Sequence, residues 1–190
     1  MKLLDILAYL PTIETERLLL RKITLNDAND MFEYASDPEV SEYTTWSTHE
    51  SIEDSKYFLK TLVKMYKRRE LVDWGIVHKA EKKFIGTCGF VEWRMTHSRA
   101  EIGYALSRKY WGEGYMSEAV SAVIDFGFRE MQLNKILARC EVHNIASARV
   151  MEKVGMQLEG VLRQQLFVKG RYWDLKTYSI LREEFFDNIL

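Results

Sequence analysis

The chain has 190 residues, enough for one domain with a well-buried core and too few for a second independent one. Its 27 basic and 28 acidic side chains leave a net charge of -1, which argues against a broad nucleic-acid footprint or a polybasic membrane anchor. Aromatic residues at 13% and only 2 prolines exclude a disordered chain, and 2 cysteines, Cys88 and Cys140, give little support to a disulfide scaffold or a zinc cluster. Each cysteine lies in an apolar strand-like run, where a buried, reduced thiol is expected. Asp5 interrupts the apolar opening run, so residues 1–11 do not read as a secretory signal, and no window approaches the roughly 20 apolar residues of a membrane span. A cytoplasmic protein is expected.

Residues 17–23 read as the first strand. Thr24 and Asp27 then supply a capping oxygen and an acidic third residue for a helical run through Met31, Phe32 and Tyr34, which Asp37-Pro38 ends. Ser47 or Thr48 is placed to cap a long helix over about 49–67, with Ile52, Leu59, Leu62 and Tyr66 on one face. Residues 74–79 and 84–93 are β-rich and joined by the polar stretch 79–83, a hairpin pattern. Gly86 and Gly89 in the second run mark bulges or close backbone approach. This order places Trp74, Glu92 and Trp93 near the sheet centre, where an acceptor can enter, although core and surface roles are equally open to them.

After a turn at 96–98, residues 101–106 form a short strand, and from Ser117 apolar residues recur at helical spacing through Val120, Val123, Ile124 and Gly127. Gly112 and Gly114 sit at the seam between the two. Without a Cβ they let the chain turn sharply and let several N–H groups converge on one anion at the helix start. Two glycines alone make only a loop. The stretch has neither the third glycine of a dinucleotide fingerprint nor the Gly-Lys-Ser/Thr of a Walker loop, so dinucleotide and nucleoside-triphosphate readings drop. The helix is expected to run to about Met131, followed by a strand at 135–142 and a short helix at 144–154 with Gly155 as its stop. Two more strands, 158–168 and 173–181, precede an exposed end.

Trp111-Gly-Glu-Gly-Tyr-Met-Ser-Glu-Ala119, with Gly103-Tyr-Ala-Leu106 before it and Asn144-Ile-Ala-Ser147 leading to Gly155-Met156 after it, resembles the GCN5-related N-acetyltransferases (GNAT). The branch it is most similar to is that of ribosomal-protein N-terminal acetyltransferases, RimJ/RimL-like, whose first strand also resembles residues 15–21. The resemblance spans nearly the whole chain. It implies an α/β (α+β) fold, one domain over residues 1–190, whose mixed and mostly antiparallel twisted sheet splays where the strand ending at Leu106 leaves the one starting at Lys135. Acetyl-CoA would enter that split as cosubstrate, with no metal, and four histidines without metal spacing agree. Two departures stand out: Trp111 and Met116 occupy the ends of the usual acetyl-CoA loop, and Met151 stands where many relatives carry a proton-donating tyrosine.

The resemblance assigns the donor to backbone and side-chain groups of Tyr104, Ala105, Leu106, Gly112, Glu113, Gly114, Tyr115, Met116, Ser117 and Asn144. The strand edge at 104–106 would bind pantetheine and form an oxyanion hole, and Asn144 can orient pantetheine while capping its helix. Ser147, one helical turn on, can hydrogen-bond the leaving sulfur. Glu101 is the candidate base and Glu92 the alternative; either can equally be a solvated strand charge. The implied reaction moves acetyl directly to a primary amine, with a protein N-terminal α-amine as the first choice. A polyamine, amino acid or aminoglycoside-like acceptor stays open, as do a homodimer and a non-catalytic CoA-binding sensor.

Overall fold

The computed structural model describes residues 9–68, 70 and 72–187, so most of the opening run and the last three residues lie outside it. Among the described residues eight strands join in one sheet: β1 Ile13–Glu14, β2 Leu18–Arg21, β3 Val72–His78, β4 Lys83–Arg94, β5 Arg99–Leu106, β6 Lys135–Glu141, β7 Gln157–Val168 and β8 Arg171–Leu181. Their order across the sheet is β1-β2-β3-β4-β5-β6-β8-β7. Every pairing is antiparallel except β5–β6. That parallel pair holds for three rungs only, Arg99–Lys135, Ala100–Ile136 and Glu101–Leu137, after which the strands diverge. The sheet therefore splays at the expected place, leaving the second half of β5 with an edge toward β6.

The helix α4, Tyr115–Arg129, crosses from β5 to β6 and buries Val120, Val123, Ile124 and Phe128 against the sheet. Gly127 lets it sit close: a Cβ there would lie 2.8 Å from both Ile136 Cδ1 and the tip of Phe90. On the other face, α1 (Ala28–Ala35) and α3 (Ile52–Arg68) bury Met31, Tyr34, Leu59, Leu62 and Tyr66 around Ile23 and Phe84. Residues alternate along β4, so Phe84 joins this cluster and Ile85 joins the one under α4.

Several local expectations change in detail. The long helix starts at Ile52, because Asp54 accepts hydrogen bonds from the Glu50 and Ser51 amides and the Ser51 hydroxyl. Thr48 instead bonds Ser41 Oγ at 2.6 Å. Asp37-Pro38 ends one helix and also starts another: Asp37 Oδ1 accepts from the Glu39 amide, and α2 runs Pro38–Ser41. The C-terminal stretch is not simply an exposed end, since α6, Arg182–Asp187, lays Phe185 on Phe128 with ring centroids 5.2 Å apart. Gly155, at φ +85°, stops α5 (Ile145–Lys153) as its position suggests.

Candidate active site

A cleft of about 400 Å³ opens at the splay. One wall is the glycine turn. Gly112 and Gly114 both have φ near +80°, and Gly114 is the residue from which α4 begins. The first amides of a helix have no carbonyl behind them to bond, so this end offers donors to an anion. A Cβ on Gly112 would meet nothing within 4 Å, and one on Gly114 would lie 3.6 Å from Arg17 Nη2 and Lys153 Nζ. The space over the turn is thus open and cationic. Arg149 and Lys153, one turn apart on α5, line the cleft and have no acidic partner among the described residues.

A long-range clamp fixes the turn. Glu118 accepts from Thr15 Oγ1 at 2.6 Å, the Arg17 amide at 2.9 Å and Arg17 Nε at 2.6 Å, while Arg17 Nη1 donates to the Glu113 carbonyl at 3.0 Å. Burial alone would raise the Glu118 pKa, but these hydrogen bonds outweigh it and hold the carboxyl below its usual range. The clamp is therefore in place at neutral pH and is lost as pH falls through the depressed pKa. Trp111 braces the other side by donating its Nε1–H to the Leu106 carbonyl at 2.8 Å. Met116 is 6% exposed, packs in the core and also lines the cleft.

The second wall is β5 from Ile102 to Leu106, opposite Arg139, Cys140, Asn144 and Ser147. Asn144 Oδ1 accepts from the Ser147 amide at 3.0 Å and so caps α5. Tyr104 reaches across the fork: its hydroxyl is 2.9 Å from Ser147 Oγ and 3.2 Å from the Ser147 carbonyl oxygen. Burial pushes the Tyr104 phenol well above its ordinary pKa, outweighing the opposing effect of Ser147. Burial likewise pushes the Cys140 thiol up to about 11 and that of Cys88 well above its usual value, so both are protonated small hydrophobes near neutral pH. The third wall comes from α2 and the loop after it, with Glu39, Val40, Tyr43 and Thr44.

Of the residues anticipated from the sequence, Tyr104, Ala105, Leu106, Gly112, Gly114, Met116, Ser117, Asn144 and Ser147 meet in this one cleft. Glu113 and Tyr115 are not among its lining residues. The Glu113 carbonyl is taken by Arg17, and the Tyr115 hydroxyl lies 3.1 Å from His78 Nε2 with the Arg17 guanidinium over its ring. Glu101 is off the lining, joined to Arg139 through Nε–Oε1 at 2.9 Å and Nη2–Oε2 at 2.7 Å, at the last paired rung of the fork. Glu92 is bonded to Arg94 at 2.8 Å, and Trp74 is fully buried with its Nε1–H on the Pro11 carbonyl. Met151 is wholly enclosed in the core and is not among the residues lining the cleft. Sequence reading missed Arg17, Arg139, Arg149 and Lys153; only the last two had a local signal, a four-residue spacing of positive charge on one helix.

Residues 17–157 match the family model described as an acetyltransferase (GNAT) domain. An uncharacterized N-acetyltransferase of Bacillus subtilis (strain 168), YoaA, is 39% identical over 172 residues, which span 90% of this chain and 97% of that protein. The crystal structure of an acetyltransferase (GNAT family) from Bacillus anthracis is similar with a TM-score of 0.80 at 34% identity, covering 91% of this chain and 99% of that one. RimL, a ribosomal L7/L12 α-N-protein acetyltransferase in complex with coenzyme A, shares the fold at a TM-score of 0.79 and 20% identity, over 90% of this chain and 98% of that one.

Proposed function

The chain belongs to the GNAT acetyltransferases and is an N-acetyltransferase, and from that premise we propose that it moves acetyl from acetyl-CoA directly to a protein N-terminal α-amine. The observation that carries this reading is one cleft joining three chemistries: a cationic glycine turn, an unpaired strand edge, and an open wall at Glu39–Thr44. The RimL-like motif and the ribosomal acetyltransferase among the structural neighbours support the choice of acceptor. In this reading the whole chain acts as one catalytic domain in the cytoplasm, the compartment that supplies acetyl-CoA and new protein N-termini.

The chain's residues divide the work. Turn amides from Gly112 to Ser117, with Arg149 and Lys153, hold the donor's diphosphate. Free β5 amides near Tyr104–Leu106 meet the thioester carbonyl and stabilise its oxyanion once the amine has added, a contact worth roughly 3 kcal/mol when one donor is lost. Asn144 Oδ1 is occupied by the helix cap, which leaves its NH₂ to orient pantetheine. Glu101 and Glu92 are each bonded to an arginine, so the amine's proton leaves through water.

Replacing both Arg149 and Lys153 with alanine is expected to raise the KM for acetyl-CoA at least tenfold, because charge-assisted bonds to a phosphate are worth roughly 1.5–3 kcal/mol. The kcat should stay within about twofold, since these side chains hold donor and transition state alike. Equal KM values for variant and wild type would remove them from the donor site.

The acceptor is tested by offering N-terminal peptides, polyamines, amino acids and aminoglycosides, and locating the added acetyl by mass spectrometry. Peptide α-amines are expected to lead by at least tenfold in kcat/KM, about 1.4 kcal/mol. Preference for a polyamine or an aminoglycoside would overturn the reading.

A further inference from the structure

The sequence lacks a phenol at the usual place on α5, where Met151 stands, yet a phenol reaches the cleft from the opposite strand. Resting on the acetyl-CoA reading, we propose that Tyr104 is a positioning residue for the leaving sulfur: its hydroxyl fixes the Ser147 hydroxyl, which then hydrogen-bonds the thiolate as the C–S bond breaks. Tyr104 Oη and Ser147 Oγ are 2.9 Å apart, and both side chains line the cleft.

The count of donors makes the arrangement specific. A serine hydroxyl has one proton and two lone pairs. When Tyr104 donates to Ser147 Oγ, the serine proton is released for another acceptor; when Tyr104 instead donates to the Ser147 carbonyl at 3.2 Å, the phenol oxygen accepts the serine proton. The pair thus has two hydrogen-bonded states, and only the first presents a donor to the cleft. The raised pKa of the buried phenol keeps it protonated, so it donates a hydrogen bond without being consumed as an acid.

The step balances without another reagent. The amine nitrogen forms the new C–N bond, the C–S electron pair goes to sulfur, and the amine's proton passes to water. The thiolate accepts the Ser147 hydrogen bond while it leaves and takes its proton from water. Charge on sulfur is larger in the transition state than in bound acetyl-CoA, so the contact acts mainly on kcat.

The test titrates the thiol of bound coenzyme A by thiolate ultraviolet absorbance, with desulfo-coenzyme A on the same protein as reference to cancel Cys88 and Cys140. In wild type the bound thiol is expected to titrate below the free one. Tyr104→Phe should move it up by about one unit, tenfold in acidity, and Ser147→Ala by at least as much. The double variant should go no further than Ser147→Ala, because the phenol acts through the serine. Turnover of Tyr104→Phe should fall about tenfold in kcat, with coenzyme A affinity by calorimetry within twofold. An unchanged titration in Tyr104→Phe with intact affinity overturns the proposal, as does a double variant whose shift is the sum of the two. Absent coenzyme A binding in wild type would instead bring down the donor reading itself, and calorimetry reports that separately.

Discussion

Gly86→Ala is expected to destabilise the protein by about 3 kcal/mol, the upper part of the range for forcing extra atoms into a packed site. The added Cβ would fall 2.3 Å from the Ala105 carbonyl oxygen and 3.1 Å from Leu106 Cα. Both are backbone atoms of the neighbouring strand, so no side chain can turn aside to make room. Strands β4 and β5 pair at Gly86–Leu106, and the clash would push β5 out of register at the end that borders the cleft. For a chain of this size the loss corresponds to roughly 6–12 °C in melting temperature, and any folded fraction should bind acetyl-CoA poorly. Gly103→Ala is the matched control. Its Cβ would meet Val91 Cγ1 at 2.8 Å, but that atom belongs to a side chain that is 60% exposed and not to the backbone, so the cost should be smaller, about 1 kcal/mol. Thermal unfolding decides the matter: a Gly86→Ala protein melting within two degrees or so of wild type would show that the strands yield more easily than their geometry implies.

Gly114→Val should weaken acetyl-CoA binding by one to two orders of magnitude while leaving the fold in place. At φ +80° and ψ 2°, Gly114 occupies the left-handed region, which costs an ordinary residue roughly 1–2 kcal/mol and a β-branched one more. Sterics are not the cause. The nearest atoms to its Cβ, Arg17 Nη2 and Lys153 Nζ, are at an ordinary 3.6 Å. Valine escapes the strain only by rebuilding the turn, and that disperses the amides that face the diphosphate and places methyl groups between two cations and their anion. A fall in affinity of tenfold to a hundredfold is expected, with Gly114→Ala intermediate because it lacks β-branching. Calorimetry on a protein with native circular dichroism measures it; wild-type affinity in Gly114→Val would take the diphosphate away from this turn.

The glycine turn was readable in advance because its requirements are local: a strand, two residues without Cβ and a helix, contiguous from Arg99 to Arg129. The same holds for Gly155 at the end of α5 and for the apolar faces of α3 and α4, where spacing along the chain maps directly onto one side of a helix. The start of α3 was placed a few residues early because several nearby hydroxyls can cap, and only the folded loop shows that Thr48 is engaged by Ser41 while Asp54 serves the helix.

The sequence by itself thus determined the main strands and helices and the strand–turn–helix at Gly112 and Gly114, since these follow from periodicity and turn chemistry, while the split between β5 and β6 was implied by the family resemblance. Tertiary structure alone decided what each polar side chain does. Arg17 meets Glu118 across 101 residues, Arg139 meets Glu101 across 38, and Tyr104 meets Ser147 across 43. Such pairs depend on strand register, and a shift of one residue turns every side chain of a strand to the opposite face. That is why the ion pair of Glu101 with Arg139 at the root of the fork, and the entry of a phenol into the cleft from β5, came only with the fold.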